Sequence, residues 1–374
     1  MPERNRAPHA SQMASFSGVN LTQIATFVRA LSSKPDSRNV SQMLKLPELH
    51  ATVVVCLGLA ALSDSACALD AQGERAEGAF SRTLAVSGPV DLSVQTGSGN
   101  IQIRTGPPGT VEVRGHVRCW GIWTGLSANE CVRRVEADPP IEQSGNVIRL
   151  GGWQKVWFWD GVSIGFDVTV PPDAGVRTRS GSGDQSVGSV HGPVNASAGS
   201  GNVRIGPTSG QVRVSTGSGH IELEGSEGSV LARAGSGSIR ALAVKGDIEA
   251  HTGSGRVCVT QTAHGQTDVT TGSGNITVSD AHGSLRLRAA SGDVTVDGEP
   301  AGSWNVRAAS GNITIRVPAN AAFDLDAHSS SGRIGSEHPI TMVGNGSWRQ
   351  LRGRVRGGGP RIDVSTASGA IRIR

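Results

Sequence analysis

From about residue 175 onward, apolar and polar positions alternate in short bursts broken by glycine. After a Ser-Gly pair and one polar residue comes an apolar–polar–apolar triplet: Ile221/Leu223, Val257/Val259, Ile276/Val278, Val294/Val296, Ile313/Ile315. A glycine-containing turn follows, then a second alternating stretch: Val212/Val214, Ile248/Ala250, Leu285/Leu287, Val306/Ala308, Phe323/Leu325. Alternation with a period of two over four to six residues is the pattern of a half-buried strand. Each unit therefore predicts two short strands and two turns.

The unit repeats at a fixed interval. Ser182, Ser200, Ser218, Ser236 and Ser254 are each 18 residues apart. Ser273, Ser291, Ser310 and Ser331 follow at 19, 18, 19 and 21, and Ser368 lies 37 further on, about two periods. An early copy is at Ser98. Self-similarity of this kind predicts a repeat architecture. The expected fold is all-β, a parallel β-solenoid or β-helix of ~18-residue coils with equivalent strands stacked about 4.8 Å apart. An antiparallel repeat sheet is the alternative the same alternation allows. Asn202, Asn275 and Asn312 share the position after Ser-Gly, and Asp184 and Asp293 replace them there. Stacked Asn side chains along the coil axis are expected.

Residues 79–115 already alternate (Leu92/Val94, Ile101/Ile103, Val111/Val113), but residues 116–165 break the pattern. This stretch holds Cys119, Cys131, Trp120, Trp123, Trp153, Trp157 and Trp159. Asn129–Glu136 predicts a short helix, and Phe166 restarts the strands. A domain spanning residues 69–374, with an irregular Trp/Cys-rich insertion at 116–165, is expected.

Upstream, residues 51–62 read ATVVVCLGLAAL, with Lys45 before them and Ala66-Cys67-Ala68 after. A basic start, a short apolar core and an A-x-A site define a secretory signal peptide. Residues 43–68 are read as that peptide, starting at Met43 and cleaved after Ala68. Residues 1–42 are read as a disordered upstream extension that is not native. The core is too short for a stable bilayer-spanning helix, so no transmembrane segment is expected after cleavage. Asp64 before Cys67 argues against a lipid anchor. The expected location is the periplasm or the cell surface and beyond, where a local Cys119–Cys131 disulfide is expected.

Composition changes this picture little. Glycine is abundant, with 52 residues, and tyrosine is absent, which suits short strands and tight turns. The net charge of +4 comes from arginines scattered beside acids, not from the one-sided basic face of a nucleic-acid binder.

The strand ending in Val-Pro (Asp167–Pro171) and the iterated Ser-Gly-[Asn/Asp]-[Ile/Val]-x-[Val/Ile] units, as in Ser273–Val278 and Ser310–Ile315, resemble the bacterial adhesin-like β-strand-repeat family DUF4097, over roughly residues 85–374. The resemblance implies a β-repeat fold and a binding role. It carries no catalytic or ligand residues.

The remaining chemistry is sparse. The calcium-binding nonapeptide pattern is absent, since Gly-Ser-Gly-Asn replaces it. Asp268, Asp280 and Asp297 lie near turns but share no repeat position beside a base, as a polysaccharide lyase or hydrolase would need. His264 and His282 occupy matched Ala-His-Gly turns, and two ligands make a poor metal site. Ser in Gly-Ser-Gly is iterated and is followed by no helix, unlike a hydrolase elbow. Trp153, Trp157 and Trp159 are the candidate binding residues, as a stacking platform for sugars or a contact for a partner. Capping of the open solenoid end is the other reading. Cys258 sits between inward valines and is expected to point outward. The terminal Ile371–Arg374 is expected to leave an open edge through which the chain can self-associate.

The functional expectation is an exported non-catalytic adhesin-like binding or surface module, without cofactor or metal, recognising a glycan or an envelope protein and no nucleic acid. A periplasmic structural or signalling scaffold and a polysaccharide-active β-helix enzyme are the alternatives.

Overall fold

A computed structural model describes residues 75–120, 127–152, 161–343 and 347–374. These form two long sheets of 14 and 15 strands. Each coil contributes one strand to each sheet, as in Val212–Thr216 (second sheet), the Gly217-Ser218-Gly219 corner, then Ile221–Ser226 (first sheet). Neighbouring coils pair in parallel and in register. One inward row of the second sheet runs Val176, Val194, Val212, Val230, Ile248, Thr267, Leu285, Trp304. Its counterpart in the first sheet runs Val203, Ile221, Ile239, Val257, Ile276, Val294, Ile313. Every one of these side chains is buried, and full burial of each Val, Leu or Ile contributes about 1.5–3 kcal/mol. The parallel solenoid is thus the fold, and the antiparallel repeat sheet is not.

The Ser-Gly corner is held by two ladders. In the first, the side chain after Ser-Gly accepts a backbone N–H from the next coil: Asn100 Oδ1 from Asp184 (3.1 Å), Asp184 Oδ1 from Asn202 (2.8 Å), Asn202 Oδ1 from His220 (2.9 Å), His220 Nδ1 from Ser238 (3.1 Å). The expected side-chain stack is therefore chiefly a side-chain-to-backbone ladder, with Asn312 Nδ2 donating to Asp293 Oδ1 (3.2 Å) as the amide–carboxylate exception. The second ladder runs through buried hydroxyls. The buried hydroxyl two residues before the corner serine accepts from the corner glycine and donates to the glycine carbonyl of the neighbouring coil. Thr216 Oγ1 accepts from Gly219 N (3.1 Å) and donates to Gly201 O (3.0 Å). Ser180, Ser329 and Thr96 repeat the inner bond. It satisfies backbone groups that the turn would otherwise leave buried and unpaired.

At the N-terminal end the described parts of the segment expected to be irregular form regular elements. Thr110–Trp120 pairs antiparallel with both Arg75–Ala85 and Val162–Val170, extending the first sheet. Ile141–Ser144 and Val147–Leu150 form a hairpin at the edge of the second sheet, beside Asp91–Thr96. The helix Ala128–Ala137 is two residues longer than expected. Ser127 caps it by accepting from Glu130 N (3.2 Å). It buries Ala128, Cys131, Val132 and Val135 against Arg75–Ala85 and Thr110–Trp120. Gly78 makes room for it, since a Cβ there would strike the Val132 and Glu136 side chains. Cys119 and Cys131 form a disulfide, Cα–Cα 6.3 Å, that ties this helix to its strand. A loop of about this length gives roughly 3 kcal/mol by the chain-entropy account. The double variant Cys119→Ser/Cys131→Ser is therefore expected to lose about that much in urea unfolding, and reductant is expected to destabilise the wild type but not the variant.

The C-terminal end departs from simple stacking. Arg361–Ser368 does not follow Phe323–Ser329. It lies between Trp304–Ser310 and Phe323–Ser329, parallel to both. Ile371–Ile373 likewise lies between Ile313–Arg316 and Ile334–Ser336. Between these passes, Gln350–Val355 pairs antiparallel with Phe323–Ser329 and with Ile340–Met342. The open edge expected at Ile371–Arg374 is therefore absent, because the last coil is inserted into the stack, and the self-association argument built on it falls. The edges at this end are Ile334–Ser336 and Ile340–Met342.

Candidate functional site

Trp153, Trp157 and Trp159 lie outside the described residues, as does Trp123. Trp120 is half-exposed at a strand end, and Trp304 is fully buried, its indole N–H donating to Gly283 O (3.0 Å). Trp348 was not singled out by the sequence. It is exposed, with the Arg349 guanidinium 4.1 Å from its ring centre.

The carboxylates considered for catalysis do not gather. Asp268 faces outward from the second sheet, whereas Asp280 and Asp297 belong to the first. Asp280 has φ +54° where the pairing register shifts. His264 Nδ1 donates to His282 O (2.6 Å), and the rings meet edge to face at 5.9 Å, so the two imidazoles do not converge on one point. Cys258 is a free, half-buried thiol on the outer side. Among the described residues no group of three or more metal-ligating side chains occurs.

What the structure does assemble is a trough on the outer face of the second sheet, at its C-terminal end. Strand alternation sends every second side chain outward. One outward row is Gly272, Ala290, Ala309 and Ala367 on four adjacent strands, continued by Ser330 just past the end of Phe323–Ser329. These small groups form the floor of a groove of about 650 Å³, open to solvent and mainly apolar. The next outward row, Thr270, Arg288, Arg307, Ser365 and His328, forms its wall. Five strands at about 4.8 Å give the trough a length of roughly 19 Å. The floor carries methyl groups because the corner changes here. Earlier coils carry Gly-Ser-Gly, whereas Ala290, Ala309 and Ala367 begin an Ala-Ser-Gly corner. The glycine then takes positive φ (Gly292 +141°, Gly311 +146°, Gly369 +153°).

Beside the trough, carboxylates do occupy matched positions. Glu249 and Asp268 are in register on adjacent strands, and so are Asp326 and Asp363. Arg361 joins Asp363 (3.0 Å) to Asp326 (3.5 Å), and Arg352 also bonds Asp326 (2.8 Å). Hydrogen bonding to Asp363 holds the Arg361 guanidinium above its usual value. The hydrogen bond from His251 (2.7 Å), with Arg233 adding to it, holds the Glu249 carboxyl below the usual range. The adjacency of the second acidic pair escapes a reading of the sequence, because its strands are 37 residues apart and meet only through insertion of the last coil.

The sequence matches the Toastrack DUF4097 family over residues 87–374, and the chain belongs to that family. No curated protein matches it. Among solved structures it is similar to a provisionally named adhesin from Bacteroides fragilis (14% identity, TM-score 0.31, 79% of this chain and 97% of that one). It is also similar to a provisionally named cell adhesion protein from Clostridium sporogenes (10%, 0.19, 79% and 99%) and to a provisionally named lipid binding protein from Parabacteroides distasonis (10%, 0.25, 79% and 97%).

Proposed function

We propose that the protein is an exported, non-catalytic binding module of adhesin type that receives an extended ligand in the trough on its second sheet. The observation that carries this is the trough itself: a floor of small side chains crossing five strands, open to solvent, with arginines and a histidine along one wall. Long, open, repetitive surfaces suit chain-like ligands, because each strand offers equivalent groups at the strand spacing. The partner is a glycan chain or an envelope protein. Export is supported by the Cys119–Cys131 disulfide, which belongs to an oxidising compartment. Among the described residues no helix is long and apolar enough to cross a membrane.

Ala309→Trp tests the site. The position is exposed in the floor, so the variant is expected to keep its melting temperature within a few degrees while losing glycan-array signals that the wild type gives. Equal signals from both proteins would sink the trough as the binding surface.

One observation favours the enzymatic alternative: Asp326 and Asp363 form a carboxylate pair with arginines on it, as glycoside or lyase chemistry would use. Both are tied in ion pairs, and we read them as structural. Release of oligosaccharides from any polysaccharide by the wild type, abolished in Asp326→Asn, would overturn the non-catalytic reading.

A further inference from the structure

Like charges directly opposite each other on paired strands are destabilising. In this solenoid such pairs carry a counter-ion from the chain. Glu249 and Asp268 have His251 and Arg233 on the first and Arg286 on the second (3.5 Å). Asp326 and Asp363 share Arg361. Arg233 is in register with His251, and Glu249 contacts both. One pair differs. Arg288 and Arg307 are in register on adjacent parallel strands. Arg288 has only Asp268 Oδ1 at 3.8 Å, beyond hydrogen-bond reach. Arg307 makes no ion pair among the described residues. Both line the trough, with His328 two strands beyond Arg307 in the same outward row.

We infer that the counter-ion Arg307 lacks is supplied by the ligand, and that the trough binds an acidic linear glycan whose carboxylate or sulfate groups sit over Arg288 and Arg307. This rests on the trough reading and adds the chemical class of what fills it. Two arginines in register on strands about 4.8 Å apart offer N–H donors to the same oxyanion. The alanine floor offers width and apolar contact for sugar-ring C–H faces. The corner serines Ser291, Ser310 and Ser368, exposed at the far ends of the same strands, add hydroxyls. Nucleic acid fits less well. The trough has no Phe, Tyr or Trp on which a base can stack, and two arginines with one histidine do not match a phosphate on every nucleotide.

The test is titration of full-length protein with oligogalacturonate, hyaluronate oligosaccharides, dextran sulfate, neutral dextran and oligo(dT), for the wild type, Arg288→Gln/Arg307→Gln, Arg179→Gln and Ala309→Trp. Arg179 faces outward in the same row near the N-terminal end of the stack, away from the trough, and serves as the charge control. Wild type and Arg179→Gln are expected to bind at least one acidic glycan, less tightly as salt rises, and to leave neutral dextran unbound. The double arginine variant is expected to lose about ten- to hundred-fold in affinity, as for lost charge-assisted hydrogen bonds. Its melting temperature without ligand is expected to hold or rise, because the repulsion is removed. The carboxylated and sulfated arms separate the two kinds of anion. Neutral dextran bound equally well by the double arginine variant but not by Ala309→Trp would overturn the anionic class and leave the trough reading standing. Binding by none of the glycans, or binding indifferent to Ala309→Trp, would overturn both. Oligo(dT) binding as tight as that of the acidic glycans would overturn the assignment to glycans.

Discussion

Deleting residues 360–374 is expected to unravel the C-terminal end of the solenoid well beyond the deleted segment. In a simple stack, removing the last coil exposes one neighbour and leaves the rest paired, because each repeat touches only the next. Here the last coil is a wedge. Arg361–Ser368 supplies the parallel neighbour of both Trp304–Ser310 and Phe323–Ser329, and Ile371–Ile373 does the same in the first sheet. Its Ile362, Val364, Ile371 and Ile373 are buried, and at about 1.5–3 kcal/mol each their burial is worth roughly 6–12 kcal/mol. That is comparable to the whole stability of a typical domain. Without the wedge, Phe323–Ser336 has no parallel partner and keeps only the hairpin strand Gln350–Val355. Hydrogen exchange of the truncated protein is expected to show protection lost from about residue 304 to 355 and retained from 176 to 298. Protection kept at 323–336 would show that the inserted coil is not what holds that region.

This insertion also marks the limit of what the sequence could reveal. The two strands per coil were legible because inward positions repeat their character: Val212, Val230 and Ile248, or Ile221, Ile239 and Val257, announce both the strand and its register. The stacking order at the end was not. Ile371 fits beside Ile313 as well as beside Ile334, and a period says which residues are equivalent without saying in what order the coils stack. The interval of 37 from Ser331 to Ser368 reads as two periods whether or not the chain doubles back. The turn-back through Gln350–Val355 depends on antiparallel pairing, which leaves no mark in the repeat.

The candidate site was legible in part. Once the units are aligned on Ser-Gly, Arg288 and Arg307 each stand three residues before the serine, and Glu249, Asp268, Asp326 and Asp363 each stand five before it. The charges look scattered along the chain but are columnar across it. The floor could not have been found that way. Gly272, Ala290 and Ala309 carry no functional chemistry, and they make a groove only because outward rows on neighbouring strands run side by side. Trp153, Trp157 and Trp159 drew attention by residue type, whereas the trough is defined by the smallness of its residues.

Gly237→Ala is expected to be among the most damaging single substitutions in the protein, although it adds one methyl group to a turn near solvent. The cause is the approach of successive corners. A Cβ on Gly237 would meet the carbonyl oxygen of Gly219 and the backbone behind it, well inside the 3.0 Å that real Cβ atoms respect. The obstacle is backbone, so no rotamer relieves it. Moving Gly219 aside would push it toward Gly201, which lies equally close beneath it. The strain has to spread along the stack or break the hydrogen bond from Thr252 Oγ1 to Gly237 O (2.8 Å). The approach is closest at the glycine of the Ser-Gly pair, which is kept at every corner, whereas the position before the serine becomes alanine at Ala290, Ala309 and Ala367. Backbone strain and a lost buried bond together place the expected loss at about 3–5 kcal/mol. Gly97→Ala, before a corner serine, is the unhindered control, because nothing lies within 4 Å of a Cβ there, and it is expected to change stability by less than about 1 kcal/mol. Urea unfolding of the two variants reads the difference. Equal, small losses in both would show that the corners have room to spread, and that close backbone approach is not what fixes glycine in the repeat.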